Sequence, residues 1–122
     1  TFWDWGTAGV DGRVQFTNNG IASTNPIIMV GGAGAFATGF RVLEVETGRE
    51  LTLVRQTFTG EVVVLDSRTG RATINGGDVT GNMTAKQWFT VPPGATRQYQ
   101  LTTLGSTSGS PTITLNARAA YL

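Results

Sequence analysis

At 122 residues, 39% of them apolar, the chain is long enough for one domain with its own core and too apolar to be disordered. Nine basic and eight acidic residues leave a net charge of +1. The basic residues Arg13, Arg41, Arg49, Arg55, Arg68, Arg71, Lys86, Arg97 and Arg118 stand singly, so none forms a run along a phosphate backbone and no nucleic-acid partner is expected. The lack of Cys and His removes disulfides, thiolate chemistry, Cys-based zinc sites and the usual general base.

No apolar stretch approaches the length of about 18 residues that a membrane helix needs, so no membrane insertion is expected. The sequence opens on Thr1 and reads as a processed chain or a piece of a longer protein.

In Thr1-Phe2-Trp3-Asp4-Trp5-Gly6, an extended backbone puts Trp3 and Trp5 on one face and Phe2 on the other. Residues 1–10 read as an aromatic arm or linker ahead of a sandwich over 11–122, the whole forming a single domain. Such a segment can dock on its own domain, pack on a neighbouring domain or subunit, or stack on a sugar. Phe2, Trp3 and Trp5 are therefore candidate protein-interface residues.

Arg13 to Thr17 alternates polar and apolar residues, Asn18-Asn19-Gly20 turns, and Ile21 to Asn25 is expected to pair back. Ile27 to Val30 is apolar on both faces and reads as a central strand. Gly31-Gly32-Ala33-Gly34 lacks the Lys-Ser/Thr ending or the following helix of a phosphate cradle, so a turned loop is expected. Phe40 to Val45 alternates, with Val42, Glu44 and Glu46 sharing a face, and Glu50 to Thr57 follows as the next strand.

Val62 to Leu65 is a short β-branched run, too short for a helix. Asp66 to Gly70 turns, Arg71 to Ile74 runs back, and Asn75-Gly76-Gly77-Asp78 is a strong turn signal. Gln87 to Val91 is predicted as a strand carrying Trp88 and Phe89, stopped by Pro92-Pro93-Gly94. Thr96 to Leu104 places Tyr99 and Leu101 on one face. Gly105 to Ser110 reads as a polar loop. Thr112 to Leu122 closes the chain with Ile113, Leu115, Ala117, Ala119 and Tyr121 on one face. About eight or nine strands without a helical period indicate an all-β, antiparallel β-sandwich of jelly-roll, galectin-like or carbohydrate-module-like form.

Chemistry is sparse. Glu44 and Glu46 have the spacing of a glycosidase pair, but they read as a solvated row paired with Arg41, Arg49 or Arg55. Asp11 and Asp78 are isolated loop carboxylates without the alternating acidic pattern of a calcium loop. No catalytic residue, metal or cofactor is expected. Trp88 and Phe89, being adjacent, point to opposite sides of a strand. Trp88, beside Lys86 and Gln87, and Tyr99 are candidate carbohydrate contacts, with core packing or a subunit interface as the alternative.

The apolar strand ending in Leu65-Asp66, a turn, Arg71, Asn75-Gly76, then Trp88-Phe89-x-Val91-x-Pro93-Gly94 and a last strand with Arg118 and Ala120-Tyr121 resemble the siphovirus-type tail component. This is the C-terminal domain of phage distal tail and minor tail proteins. The resemblance runs from Val62 to Leu122, about half the chain. It implies a sandwich attached to a ring at the tip of a long non-contractile tail. The implied function is that of a structural virion protein acting in assembly and host-surface adsorption, without catalysis. The implied partners are other tail proteins, further copies in a hexameric ring, and a host surface polysaccharide. The family's ring-forming N-terminal domain has no counterpart in these residues, so Phe2 to Trp5 is expected to be the stump of a linker or a contact to that missing part. The alternative is a stand-alone carbohydrate-binding module of a receptor-binding protein.

Overall fold

The period-two pattern emerges as strands paired only in antiparallel fashion in a computed structural model of the chain. It describes the backbone of residues 3–9, 12–32 and 34–118, and the side chains of 12–32 and 34–116. In chain order the strands are β1 (Trp3–Gly9), β2 (Arg13–Thr17), β3 (Ile27–Gly31), β4 (Gly34–Phe36), β5 (Gly39–Glu44), β6 (Glu50–Val54) and β7 (Val62–Asp66). They continue with β8 (Arg71–Ile74), β9 (Gly77–Asp78), β10 (Met83–Lys86), β11 (Thr96–Thr103), β12 (Thr107–Gly109) and β13 (Thr112–Arg118). A six-stranded sheet runs β1-β13-β3-β7-β8-β9 and a five-stranded sheet runs β10-β6-β5-β11-β2; β4 and β12 form a separate ladder.

Alternation decides which side chains enter the core. From the six-stranded sheet come Ile28, Val30, Val63, Leu65, Ala72, Ile74, Ile113 and Leu115. From the five-stranded sheet come Val14, Phe16, Phe40, Val42, Leu51, Leu53, Met83, Tyr99 and Leu101. Two sheets that each bury one face over a shared apolar layer make a β-sandwich, as the sequence pattern implies. Phe36 and Phe40 pack with ring centroids 5.1 Å apart, and Phe89 and Tyr99 at 4.9 Å, both tilted. The Asn75-Gly76 signal becomes a two-residue hairpin between β8 and β9, with Ile74 opposite Gly77 and positive φ at both turn residues.

Several elements differ from the sequence reading. Gln87 to Val91 is not a strand. The ladder with β6 ends at Lys86, opposite Leu51, and the chain then crosses between the sheets. There the Phe89 amide donates to Ser67 Oγ at 3.3 Å, and Val91 makes a reciprocal backbone bridge with Thr24. Those partners come from distant segments, so local alternation does not report the crossing. Ile21 to Asn25 contributes bridge residues in place of a paired strand. The loop Gly105 to Ser110 holds β12, which pairs with β4. Ile27 and Met29 of β3 are half-buried on the outer face, so that strand is central in its sheet without being covered on both sides.

The arm or linker expected over residues 1–10 gives way, for Trp3–Gly9, to an edge strand. The register sets Trp3 opposite Arg118 and Trp5 opposite Asn116. Phe2 and the side chains of Trp3 and Trp5 lie outside the described residues, as do Asp11, Ala119 and Tyr121 and the side chain of Ala117.

Candidate functional site

Strands β5 and β11 run side by side, and each end of the pair carries a polar feature. At the Glu44 end, alternation places Phe40, Val42 and Glu44 on the inner face, with Tyr99 directly opposite Glu44. Glu44 is 0% exposed and Tyr99 is 0% exposed. Tyr99 OH donates to Glu44 Oε2 at 2.8 Å, and Thr47 Oγ1 donates to Oε1. Arg97 Nε, buried and without a hydrogen bond, lies 3.8 Å from Oε1, while Arg97 Nη1 donates to the Thr96 carbonyl at 3.1 Å. The turn closes with the Glu44 amide donating to Arg49 O at 2.8 Å and the Gly48 amide to Glu44 O at 2.9 Å. Burial, then the adjacent Glu44 carboxylate and its hydrogen bond, push the Tyr99 phenol above its ordinary range.

Two expectations are corrected here. Glu44 belongs to the core and not to a solvated row. It is sealed from any substrate and does not form a glycosidase pair with exposed Glu46, which accepts from the Gln98 amide at 2.8 Å. Tyr99 is no carbohydrate contact, because its ring is packed inside against Phe89. The apolar company of Phe40 and Val42 on Glu44's own face was the signal that it points inward. Arg41 instead sits as an ion pair 2.9 Å from Glu50, off the line of a hydrogen bond. Asp78 accepts from Thr80 Oγ1 at 2.6 Å and faces Arg71 at 3.6 Å.

Trp88, the other candidate sugar contact, is half-buried against the core, and its Nε1 would sit 3.5 Å from a Cβ placed on Gly70. It belongs to the crossing segment, which buried Asn18 ties down. Asn18 Nδ2 donates to Ala22 O at 2.8 Å and Val91 O at 3.0 Å, and the Asn18 backbone carbonyl accepts the Gly94 amide at 2.7 Å. The Trp88-Phe89-x-Val91-x-Pro93-Gly94 pattern therefore has a physical role: it stitches one sheet to the other.

The opposite end of β5 and β11 leads into a cleft of about 270 Å³. Its floor is β4 with Ala37, one wall is Gln56 to Thr59, and the other is Ser106 to Ser108. The first wall is pinned to β4 because the Thr57 amide donates to Phe36 O at 2.9 Å and the Phe36 amide to Thr57 Oγ1 at 3.0 Å. The Phe58 amide donates to Glu61 Oε1 at 2.8 Å, the Glu61 amide to Phe58 O at 2.9 Å, and the Gly60 amide to Gly32 O at 2.8 Å. On this fixed turn the Phe58 ring stands 59% exposed. Sequence reading passed over it because an aromatic just after an alternating strand looks like core. The adjacent Thr59-Gly60 turn was the available signal.

Residues 19–119 match the family described as the siphovirus-type tail component, C-terminal domain. The chain belongs to that family. The crystal structure of the SPP1 Dit protein superposes with a TM-score of 0.66 at 20% identity, covering 93% of this chain and 46% of that one. At that identity the likeness establishes the shared fold, and the chain spans about half the length of that solved structure. No curated protein matches the chain. Membership makes it a structural component of a siphovirus-type phage tail.

Proposed function

We propose that the chain is the sandwich module of a hub at the tip of a long non-contractile tail, joining tail assembly to host adsorption without catalysis. The carrying observation is the family match over residues 19–119. The SPP1 protein of similar fold is described as a paradigm of the hub adsorption apparatus in phages that infect Gram-positive bacteria. The non-catalytic reading is supported by a chain without His or Cys, and by a core carboxylate already engaged by Tyr99 and Thr47.

In this proposal residues 1–122 act as one module, and the protein that carries it assembles as a hexameric ring. Phe2, Trp3 and Trp5 contribute to the contact with neighbouring tail parts. Adsorption involves a host surface polysaccharide, with the uncovered part of Trp88 as one candidate contact. Electron microscopy of tails carrying a tag on this chain tests the proposal: the tag is expected at the tip, in six-fold symmetry. A tag found along the tube, or a protein absent from purified tails, refutes it.

A further inference from the structure

We propose that the cleft beside Phe58 is a saccharide-binding site, taking one or two rings of a neutral glycan. The inference rests on the adsorption half of the function proposed above and supplies it with a place and a ligand class.

The exposed aromatic is the first support. A Phe ring 59% in solvent is costly to hydration and adds little to packing. The turn that carries it is anchored, since the amides of Thr57, Phe58, Gly60 and Glu61 are all hydrogen-bonded. An apolar face on an anchored turn beside a concavity suits the C–H face of a pyranose, and little backbone entropy of the turn remains to be lost on binding.

The lining is the second. The groups around the ring are Gln56, Thr59, Ser106, Thr107 and Ser108, and the cleft contains no charged side chain. None of these five side chains has a hydrogen-bond partner among the described residues. Hydroxyls and a carboxamide both donate and accept, which matches the donor-acceptor pairs of sugar hydroxyls. A phosphate, an acidic peptide or a polyanionic glycan would meet no compensating cation here. An apolar helix would meet one ring and a polar wall.

Size is the third. A volume of about 270 Å³ lies just below the range of drug-sized ligand pockets, roughly 300 to 1,000 Å³. That suits a terminal sugar or a disaccharide unit rather than a long segment of partner protein.

The test uses the purified chain, isotope-labelled, titrated with glucose, galactose, N-acetylglucosamine and their disaccharides up to about 10 mM, well above a weak site of roughly 1 mM. At least one probe is expected to shift the amides of Gln56 to Thr59 and Ser106 to Ser108. Phe58→Ala is expected to weaken that binding roughly tenfold while leaving the other amide shifts in place. Gln56→Ala, also at the surface, is a second variant expected to weaken it.

No shift with any probe, or unchanged binding by Phe58→Ala, overturns the site. Shifts centred on Trp88 overturn it too, although adsorption to a polysaccharide then still stands. In virions, Phe58→Ala is expected to leave tail number and tip appearance unchanged and to lower adsorption. Tails that lose their tip would mean that the ring docks a protein, which also overturns the glycan site. A tip-located chain that binds no sugar fails this inference alone; a chain missing from tails fails the hub reading.

Discussion

Strands β5 and β11 finish in opposite chemistries. At one end Tyr99, Thr47 and Arg97 turn toward a Glu44 that is closed off from water, so a carboxylate is held inside a sandwich by two donors and a nearby cation. At the other end Gln56, Thr59 and Ser106 to Ser108 stand around an exposed ring without partners among the described residues. The first end engages its carboxylate internally, with Arg97 Nε alone left as an ion-pair neighbour without a hydrogen bond, and acts on the fold. The second leaves its polar side chains facing solvent. Whether a polar cluster is structural or functional is thus read from whether its hydrogen-bonding capacity is already filled.

The largest expected effect separates the ends through two glycines. Gly39 opens β5 at the cleft end with φ of 117°, and a Cβ there would lie 1.9 Å from the Leu53 carbonyl oxygen. Gly39→Ala should therefore cost about 3–5 kcal/mol, since both the conformation and the space forbid it. Gly48, in the turn beside Glu44, also has positive φ, at 75°, but nothing within 4 Å of a Cβ. Gly48→Ala should cost about 1 kcal/mol, the conformational part alone. Urea denaturation of both variants measures the gap, and equal losses would mean that the close approach at Gly39 relaxes freely.

The Glu44 end is sharpened by removing its carboxylate in two ways. Glu44→Ala leaves the Tyr99 hydroxyl and Arg97 without their partner in a closed site, and should lose about 3 kcal/mol. Glu44→Gln keeps an acceptor for Tyr99 and should lose about 1 kcal/mol. If the two variants melt alike, charge rather than hydrogen bonding holds this end together.

Much of this molecule was legible in its residues. Arg13–Thr17 and Arg71–Ile74 form strands with the bounds that their alternation gives, and Asn75-Gly76 turns as its sequence demands. Tyr99 and Leu101 share the buried face that their spacing assigns. What failed was of another kind. Alternation groups Glu44 with Phe40 and Val42, yet a charge on a strand suggests solvent unless its partner is known, and Tyr99 is 55 residues away. The crossing at Trp88-Phe89 looks like a strand because its aromatic composition suits one. Its course is instead set by Ser67, Thr24 and Asn18, none of them local. Long-range pairing, and not local propensity, carries the information that the sequence pattern lacks.

A smaller effect lies at high pH. Tyr99 in the fold holds its proton more tightly than an unfolded tyrosine, whose pKa is about 10. Below that value both states are protonated and the contribution to stability is whole. Above it only the unfolded chain releases the proton, so stability should fall with rising pH, by at most about 1.4 kcal/mol per unit. Tyr99→Phe should start less stable, because Glu44 loses a donor, and should then lack this part of the alkaline decline. Parallel slopes from pH 9 to 11 for the two proteins would show that other groups cause the decline.

The smallest expected change in stability is at Phe58, and its smallness bears on the contrast between the ends. Phe36 and Phe58 both line the cleft, but Phe36 is 0% exposed and packs at a tilt against Phe40, whereas Phe58 is 59% exposed. A ring with most of its surface already in water returns little transfer free energy to the fold, so Phe58→Ala should move the urea midpoint by less than about 0.5 kcal/mol. The turn beneath it is built from backbone groups of Thr57, Phe58, Gly60 and Glu61 and survives the truncation. A loss of 2 kcal/mol or more, on the scale of a core deletion, would put the ring among the packing residues. The cleft end would then be structural like the Glu44 end, and the difference between them would vanish. A neutral result leaves an aromatic that the fold does not need, carried on an anchored turn beside hydroxyls without partners among the described residues, as the proposed glycan site requires.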